Sequence, residues 1–189
     1  MRSLRLGVLC ALVCGAPVDA TTVMRFDLAE LTQNAACIFV GQCQQATTEL
    51  VDGLVYTRYR FAVDQVVHGE PVRQIVVHLR GGQYQDRQYV LAGMPRFVPG
   101  ERVVLFLTDN DPRGYAWPVG LGQGVFRIQQ VRGEARVFQP LGEGAQYVSP
   151  VGVAAKPVPI PSPGGQSLQS FLQRVRSHLP SESARNGDR

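Results

Sequence analysis

Residues 55–64 read Val-Tyr-Thr-Arg-Tyr-Arg-Phe-Ala-Val-Asp and carry the clearest periodicity in the chain. The side chains divide into two sets, with Val55, Thr57, Tyr59, Phe61 and Val63 on one face and Tyr56, Arg58, Arg60 and Asp64 on the other. Successive residues of a β-strand point to opposite faces of the sheet. The pattern therefore predicts a strand that is buried on one face and exposed on the other.

A second alternating segment follows a turn. Residues 68–71, His-Gly-Glu-Pro, are of the types that favour a turn. Beyond them Ile75, Val77 and Leu79 alternate with Val76, His78 and Arg80. Two alternating segments joined by a short turn predict a β-hairpin.

Further short strands are predicted on both sides of this hairpin. Residues 36–43 are rich in β-formers, and Gly41 inside them indicates a bulge or a close backbone approach. A polar loop over residues 47–53 is expected to follow. Later strands are expected at residues 88–92, 102–107, 115–119, 125–131 and 135–138. Strands at this spacing predict a small antiparallel barrel or sandwich, of which we favour the barrel.

Two helices are predicted to flank the strands. Asp27 and Glu30 have the spacing of a capping box at the start of a short helix that ends near Asn34. Ser167 can cap a second helix. Its apolar residues share one face, namely Leu168, Phe171, Leu172, Val175 and Leu179. An amphipathic helix of this kind is expected to pack on the barrel.

The predicted organisation has five parts. Residues 1–20 are a signal peptide, and residues 21–148 form the β-barrel domain with its short N-terminal helix. Residues 149–165 are a Pro-rich strap, because alternating prolines favour an extended chain that lacks ladder donors, at Pro157, Pro159, Pro161 and Pro163. Residues 166–179 form the C-terminal helix, and residues 180–189 are a disordered tail.

The first 20 residues have the features of a secretory signal. Arg2 and Arg5 precede an apolar run, and Val18-Asp19-Ala20 supplies small residues for cleavage. The run is too short to span a bilayer. We therefore expect an exported protein, periplasmic or secreted, with no transmembrane segment in the mature chain.

Composition supports one mainly β domain and excludes some partners. The chain has 189 residues with 44% apolar and 18% charged content, together with 20 Gly and 13 Pro. A turn-rich strand protein fits these values better than a helical bundle. The net charge is only +4, and the basic residues, all arginine except Lys156, are scattered. No nucleic-acid partner is expected.

Cys37 and Cys43 are the cysteines left after the predicted cleavage. On one strand their Cα atoms would lie about 20 Å apart. A disulfide needs less than about 7 Å between Cα atoms. Two buried free thiols are therefore expected, and a disulfide stays possible if the strand begins after Cys37.

The chain offers no familiar catalytic or metal-binding set. It lacks the Gly-x-Ser-x-Gly of serine hydrolases after residue 20, and its three histidines stand in separate elements, at His68, His78 and His178. The glycines of residues 120–124 precede a strand rather than a helix, which indicates a bend and not a phosphate loop. Asp109 and Asp111 are interpreted as turn residues and not as calcium ligands. No catalytic residue, metal or cofactor is predicted.

One surface of the hairpin is a candidate ligand-binding face. Tyr56, Arg58 and Arg60 point one way, and His78 and Arg80 should lie opposite Arg60 or diagonal to it. Arginines interleaved with an aromatic ring can bind an acidic or planar ligand through paired hydrogen bonds or stacking. The alternative is an ordinary solvated face.

Four segments carry a resemblance to known proteins. They are Ala36-Cys37-Ile38-Phe39-Val40-Gly41, Tyr59-x-Phe61-x-Val63-x-x-Val66-x-x-Gly69, Ile75-Val76-Val77 and Pro99-Gly100-Glu101-Arg102-Val103-Val104-Leu105-Phe106-Leu107. Over residues 35–130 this pattern resembles uncharacterised exported bacterial proteins and, more remotely, the netrin-type module of tissue inhibitors of metalloproteinases.

The resemblance implies a five-stranded OB-fold barrel flanked by helices. In those inhibitors a mature amino-terminal cysteine presents its amine and carbonyl to the zinc of the target peptidase. This chain has Thr21-Thr22 at the predicted terminus. No inhibitory residue can therefore be transferred, and peptidase inhibition is an analogy from fold.

The leading hypothesis is an exported, non-enzymatic β-barrel protein that binds a protein or glycan partner in the bacterial envelope or outside the cell. The second hypothesis is an inhibitor of a secreted metallopeptidase. The third is an enzyme of unrecognised class, which a cluster of His78 or Asp109 with other acids in a pocket would favour.

Overall fold

A computed structural model describes residues 22–140, 146–148 and 165–180, and the fold is mainly β. The elements in chain order are β1 (Thr22–Met24), α1 (Leu28–Gln33), β2 (Cys37–Val51), β3 (Leu54–His68), β4 (Gln74–Arg80), β5 (Gly82–Tyr84), β6 (Arg87–Tyr89), β7 (Arg102–Leu107), a 3₁₀ helix (Leu121–Gly124), β8 (Val125–Val131), β9 (Glu134–Phe138), β10 (Gln146–Val148), β11 (Gln166–Ser167) and α2 (Leu168–His178). Predictions for residues 1–20, 149–164 and 181–189 fall outside the described residues.

A long hairpin of β2 and β3 is the main feature of the sheet. Each strand has 15 residues, and Asp52 and Gly53 connect them with φ angles of 51° and 76°. Positive φ at both turn residues matches the twist of the flanking strands in a two-residue hairpin. The predicted polar loop over residues 47–53 is therefore wrong, because strand pairing continues to Val51↔Leu54.

Seven strands form one sheet in the order β11-β9-β8-β7-β2-β3-β4, and every neighbouring pair is antiparallel. In the described residues the edge strands β4 and β11 do not pair with each other. The closed barrel expected from the sequence is therefore not found. The chain leaves β4 for the β5–β6 ribbon at Gly81, and β11 has only two residues before α2 begins, so β11 offers little backbone for a closing ladder.

Both faces of the central strands β2 and β7 are buried. On one face Ile38, Val40, Val104 and Phe106 pack with the helices. On the other face Phe39, Val103 and Leu105 pack with residues of β3 and β4, including Phe61 and Val77. This two-sided burial explains why β2 and β7 contain runs of consecutive apolar residues, whereas a strand buried on one face alternates apolar and polar residues.

Both predicted helices form with the predicted caps. Asp27 Oδ1 accepts a hydrogen bond from the Glu30 amide at 2.8 Å, and Glu30 Oε2 accepts one from the Asp27 amide at 2.7 Å. Ser167 Oγ accepts one from the Ser170 amide at 3.2 Å. α2 buries Phe171, Leu172 and Val175, and the Phe171 ring centroid lies 4.6 Å from that of Phe126. Neither helix has the length and apolar character needed to cross a membrane.

The two cysteines lie on β2 as predicted and are free thiols. Cys43 is buried and Cys37 is half-buried. Burial raises the pKa of both thiols above the usual value. Both are therefore protonated near neutral pH, which makes them poor nucleophiles.

Two of the later predicted strands differ in the structure. Residues 115–119 form a loop with one isolated bridge, Leu107↔Pro118, because Pro118 has no N–H for a ladder. The strand expected at residues 88–92 is β6, Arg87–Tyr89, which pairs only with β5 among the described strands. By contrast, β7 and β8 have the predicted bounds.

Candidate functional site

The outer face of β2, β3 and β4 brings together all five residues predicted for the ligand site. In the strand register Arg58 lies opposite His78, Tyr56 opposite Arg80, and Arg60 opposite Val76. His78 is therefore diagonal to Arg60, as predicted. Arg80 lies two residues further along β4, opposite Tyr56, and is not a direct or diagonal neighbour of Arg60. β2 adds three side chains to the same face, Gln45, Thr47 and Glu49.

Tyr56 is not available to a ligand. Its exposed fraction is 3%, and the ring of Tyr115 packs edge-on against it with 5.8 Å between centroids. The Tyr56 hydroxyl accepts a hydrogen bond from Arg113 Nη1 at 3.1 Å. The sequence-based role of Tyr56 as an exposed stacking platform is therefore not supported, because a loop distant in sequence covers the ring.

His78 is held between Tyr115 and Glu49. Its ring stacks on Tyr115 with 4.3 Å between centroids and 16° between planes, and Nε2 lies 3.8 Å from Glu49 Oε1. Burial lowers the pKa of His78 below its usual value, Glu49 opposes this shift, and Arg58 adds to it. The imidazole is therefore neutral near pH 7 and adds no positive charge to the face.

Asp111 holds the loop that carries Tyr115. Its Oδ1 accepts hydrogen bonds from the amides of Arg113 and Tyr115, both at 2.9 Å, and its Oδ2 accepts one from Trp117 Nε1 at 3.1 Å. These bonds, the Tyr115 amide foremost, lower the pKa of Asp111. The prediction that Asp111 is a turn residue is confirmed. Sequence reasoning missed Tyr115 as a site residue, since it placed residues 115–119 in a strand.

The most exposed charged side chains of the face are cationic, whereas Glu49 beside His78 is half-buried. Arg58, Arg60 and Arg80 are exposed, and no carboxylate in the described part of the chain lies within ion-pair distance of them. Arg60 donates a hydrogen bond through Nη2 to Gln45 Oε1, which orients its guanidinium. A small depression of about 110 Å³ is lined by Gln45, Thr47, Arg58, Arg60 and Val76.

A larger depression of about 460 Å³ lies where α2 meets β9, and Gln65 of β3 also lines it. Its charged lining residues are Glu134 and Arg176, and Glu134 already forms an ion pair with Arg136 at 3.0 Å. Within the described ranges no three His, Cys, Asp or Glu residues are grouped to hold a metal ion. The cationic outer face is therefore the stronger candidate site.

Comparisons of the chain with known protein families, with curated proteins and with solved structures find no match. The resemblance to the netrin-type module stays a prediction. The fold and the site define the chain as a mainly β protein that presents arginines on the outer face of a three-strand segment.

Proposed function

We propose that this chain is an exported, non-enzymatic binding protein and that its outer sheet face binds an anionic protein or glycan. The observation that carries the proposal is a set of exposed arginines that have no carboxylate partner among the described residues, Arg58, Arg60 and Arg80. The proposed export rests on the signal peptide predicted in residues 1–20.

Guanidinium groups on a sheet suit the recognition of carboxylates or sulfates. Each can donate paired hydrogen bonds to two oxygen atoms of an anion. Arg58 and Arg60 are two residues apart on β3, and such neighbours on one face are separated by about 7 Å. A polymer with repeated negative charges can therefore contact both at once. Because Tyr56 is covered, charge rather than stacking would select the ligand.

Two polyanions of different chemistry test this proposal, dextran sulfate and polyglutamate, with uncharged dextran as the blank. The face variant is Arg58→Ala with Arg60→Ala. The control variant is Arg174→Ala with Arg176→Ala, which removes the same charge from exposed positions of α2. Binding is measured by biolayer interferometry at an ionic strength of about 0.1 M, where exposed charges still act over about 10 Å.

We expect the unmodified protein to bind at least one polyanion and the face variant to bind it about tenfold more weakly or worse, since two charge-assisted contacts are lost. The control variant should retain most of the affinity. Equal losses in the two variants, or no binding of either polyanion, would contradict the proposal.

A further inference from the structure

The hydrogen bonds between β3 and β4 show which backbone groups point away from the sheet. The Gly81 amide donates to the Val55 carbonyl at 2.8 Å, and the Val63 amide donates to the Arg73 carbonyl at 2.9 Å. Antiparallel pairs alternate between bonded and non-bonded positions. With the observed register, the odd residues of β4 bond to β3, and the even residues direct their N–H and C=O groups outward, at Gln74, Val76, His78 and Arg80.

The outward edge of β4 has no partner among the described strands. β4 is the last strand of the seven-stranded sheet, and no further backbone hydrogen bond in the described ranges involves its even residues. Gln74–Arg80 contains no Pro and no bulge, two of the features that prevent pairing at an edge, and its exposed charge is Arg80. Val76, in the middle of this edge, is 47% exposed. The edge is therefore able to pair with another strand.

The side chains beside this edge indicate what that strand should carry. Val76, His78 and Arg80 lie on the same face as Arg58 and Arg60. Neighbouring strands are about 4.8 Å apart, so an added strand would run next to Arg80 and about 10 Å from Arg58. An arginine side chain on β4 or on β3 is long enough to reach a glutamate of the added strand across these separations. The occupant should be acidic at every second position.

We propose that the β4 edge binds an extended acidic segment of a partner protein as an added antiparallel strand. This inference rests on the proposed function and names the partner class for the same face. The partner's acidic residues lie opposite Val76 and His78 and exchange backbone hydrogen bonds with them. Their carboxylates face the arginines, and β-branched residues between them point to the other face.

The test uses a fluorescein-labelled peptide, Thr-Glu-Val-Glu-Val-Glu-Thr-Glu, and fluorescence polarisation. In the proposed pairing the amides of the glutamates bond to β4, whereas the amides of the residues between them point outward. A peptide N-methylated at its glutamates should therefore lose binding about tenfold or more. A peptide N-methylated at the two valines should retain it, and a lysine version should not bind.

Two protein variants test the same edge. Val76→Pro removes an outward N–H that makes no bond inside the sheet, and a proline at such an edge position is tolerated. It should weaken peptide binding about tenfold, while Val76→Thr, which keeps the N–H, should bind as the unmodified protein does. Circular dichroism checks that both variants are folded. If Val76→Pro does not fold, the two N-methylated peptides decide alone.

The outcomes separate this inference from the proposed function. If the acidic peptide binds and depends on Arg58 and Arg60 but tolerates methylated glutamates, strand addition is wrong and the cationic face stands. If dextran sulfate or polyglutamate binds and the peptide does not, strand addition is again wrong and the cationic face stands. If neither the polyanions nor the peptide bind, both proposals are wrong.

Discussion

At the scale of single residues, Tyr56 and Arg58 show how little the alternation in a strand says about exposure. Both point to the outer face, yet Tyr56 is buried under Tyr115 and Arg58 is exposed. The difference comes from a loop that brings Arg113 and Tyr115 onto Tyr56. Arg113, which contacts the Tyr56 hydroxyl, is 57 residues away from it in sequence. Of the five predicted site residues, three arginines remain accessible.

Gly41 is a residue whose role the sequence anticipated and the structure explains. The pairing of β2 with β3 shifts register between Val40 and Gly41, which confirms the predicted bulge. A Cβ atom at this position would lie 2.5 Å from the Ala62 carbonyl oxygen. That distance is far inside van der Waals contact, and the atom it meets belongs to the backbone, which cannot rotate away.

Gly41→Ala should therefore destabilise the protein by about 1–3 kcal/mol, the usual cost of forcing extra atoms into a packed site. The free energy of unfolding is measured by denaturant titration. Gln44→Ala, at an exposed position of the same strand, is the control and should change stability by less than about 0.5 kcal/mol. An unchanged midpoint for Gly41→Ala would show that the backbone around Ala62 moves freely.

At the scale of elements, the loop between β7 and the 3₁₀ helix acts as a cover for one end of the outer face. Its conformation depends on Asp111, whose carboxylate accepts hydrogen bonds from three N–H groups of the next six residues. The same loop places Trp117 against the core formed by β3, β4 and β7. One side chain thus links the position of Tyr115 over His78 to the packing of the loop on the sheet.

Asp111→Ala should release this loop and expose Trp117 and Tyr56. Trp117 is the only tryptophan of the chain, so its fluorescence reports the change directly. We expect a red-shifted emission in the native state and faster quenching by iodide. Asp109→Ala, an exposed neighbour with no side-chain hydrogen bond in the described part of the loop, should leave the emission unchanged. Identical spectra for the two variants would argue against the role of Asp111.

At the scale of the whole molecule, two hydrophobic clusters share the same pair of strands. The helices cover one face of β2 and β7, and on the other face their side chains pack with those of β3 and β4 and with Phe97 and Trp117 from loops. If β2 and β7 unfold, the apolar side chains of both clusters become exposed to water. The helical layer and the strand layer should therefore unfold together in one transition.

Phe171→Ala tests this coupling. Phe171 is 1% exposed and packs on Phe106 and Phe126, so its truncation should cost about 3–5 kcal/mol. Circular dichroism follows the secondary structure, and Trp117 fluorescence follows the opposite cluster. Both midpoints should move by the same amount, whereas Gln173→Ala, exposed on the same helix, should move neither. A shift confined to circular dichroism would mean that α2 unfolds separately.

The sequence alone determined features that depend on near neighbours. The alternation of residues 55–64, the capping box of Asp27 and Glu30 and the amphipathic face of α2 each involve residues a few positions apart. Such patterns reflect backbone geometry with fixed periods, so they can be read without knowing the fold. For the same reason the five site residues could be placed on one hairpin.

Only the tertiary structure decided which parts of that hairpin meet solvent and where the sheet stops. The covering of Tyr56 by Tyr115 depends on contacts between segments far apart in sequence, and so does the position of β4 as the last of the described strands in the sheet. Their position depends on how the long, bulged β2–β3 hairpin bends and where the β7 loop crosses it. Long-range packing has no sequence period. For this reason the sequence could not show that β4 and β11 stay unpaired with each other among the described strands, and the expected barrel closure is not found there.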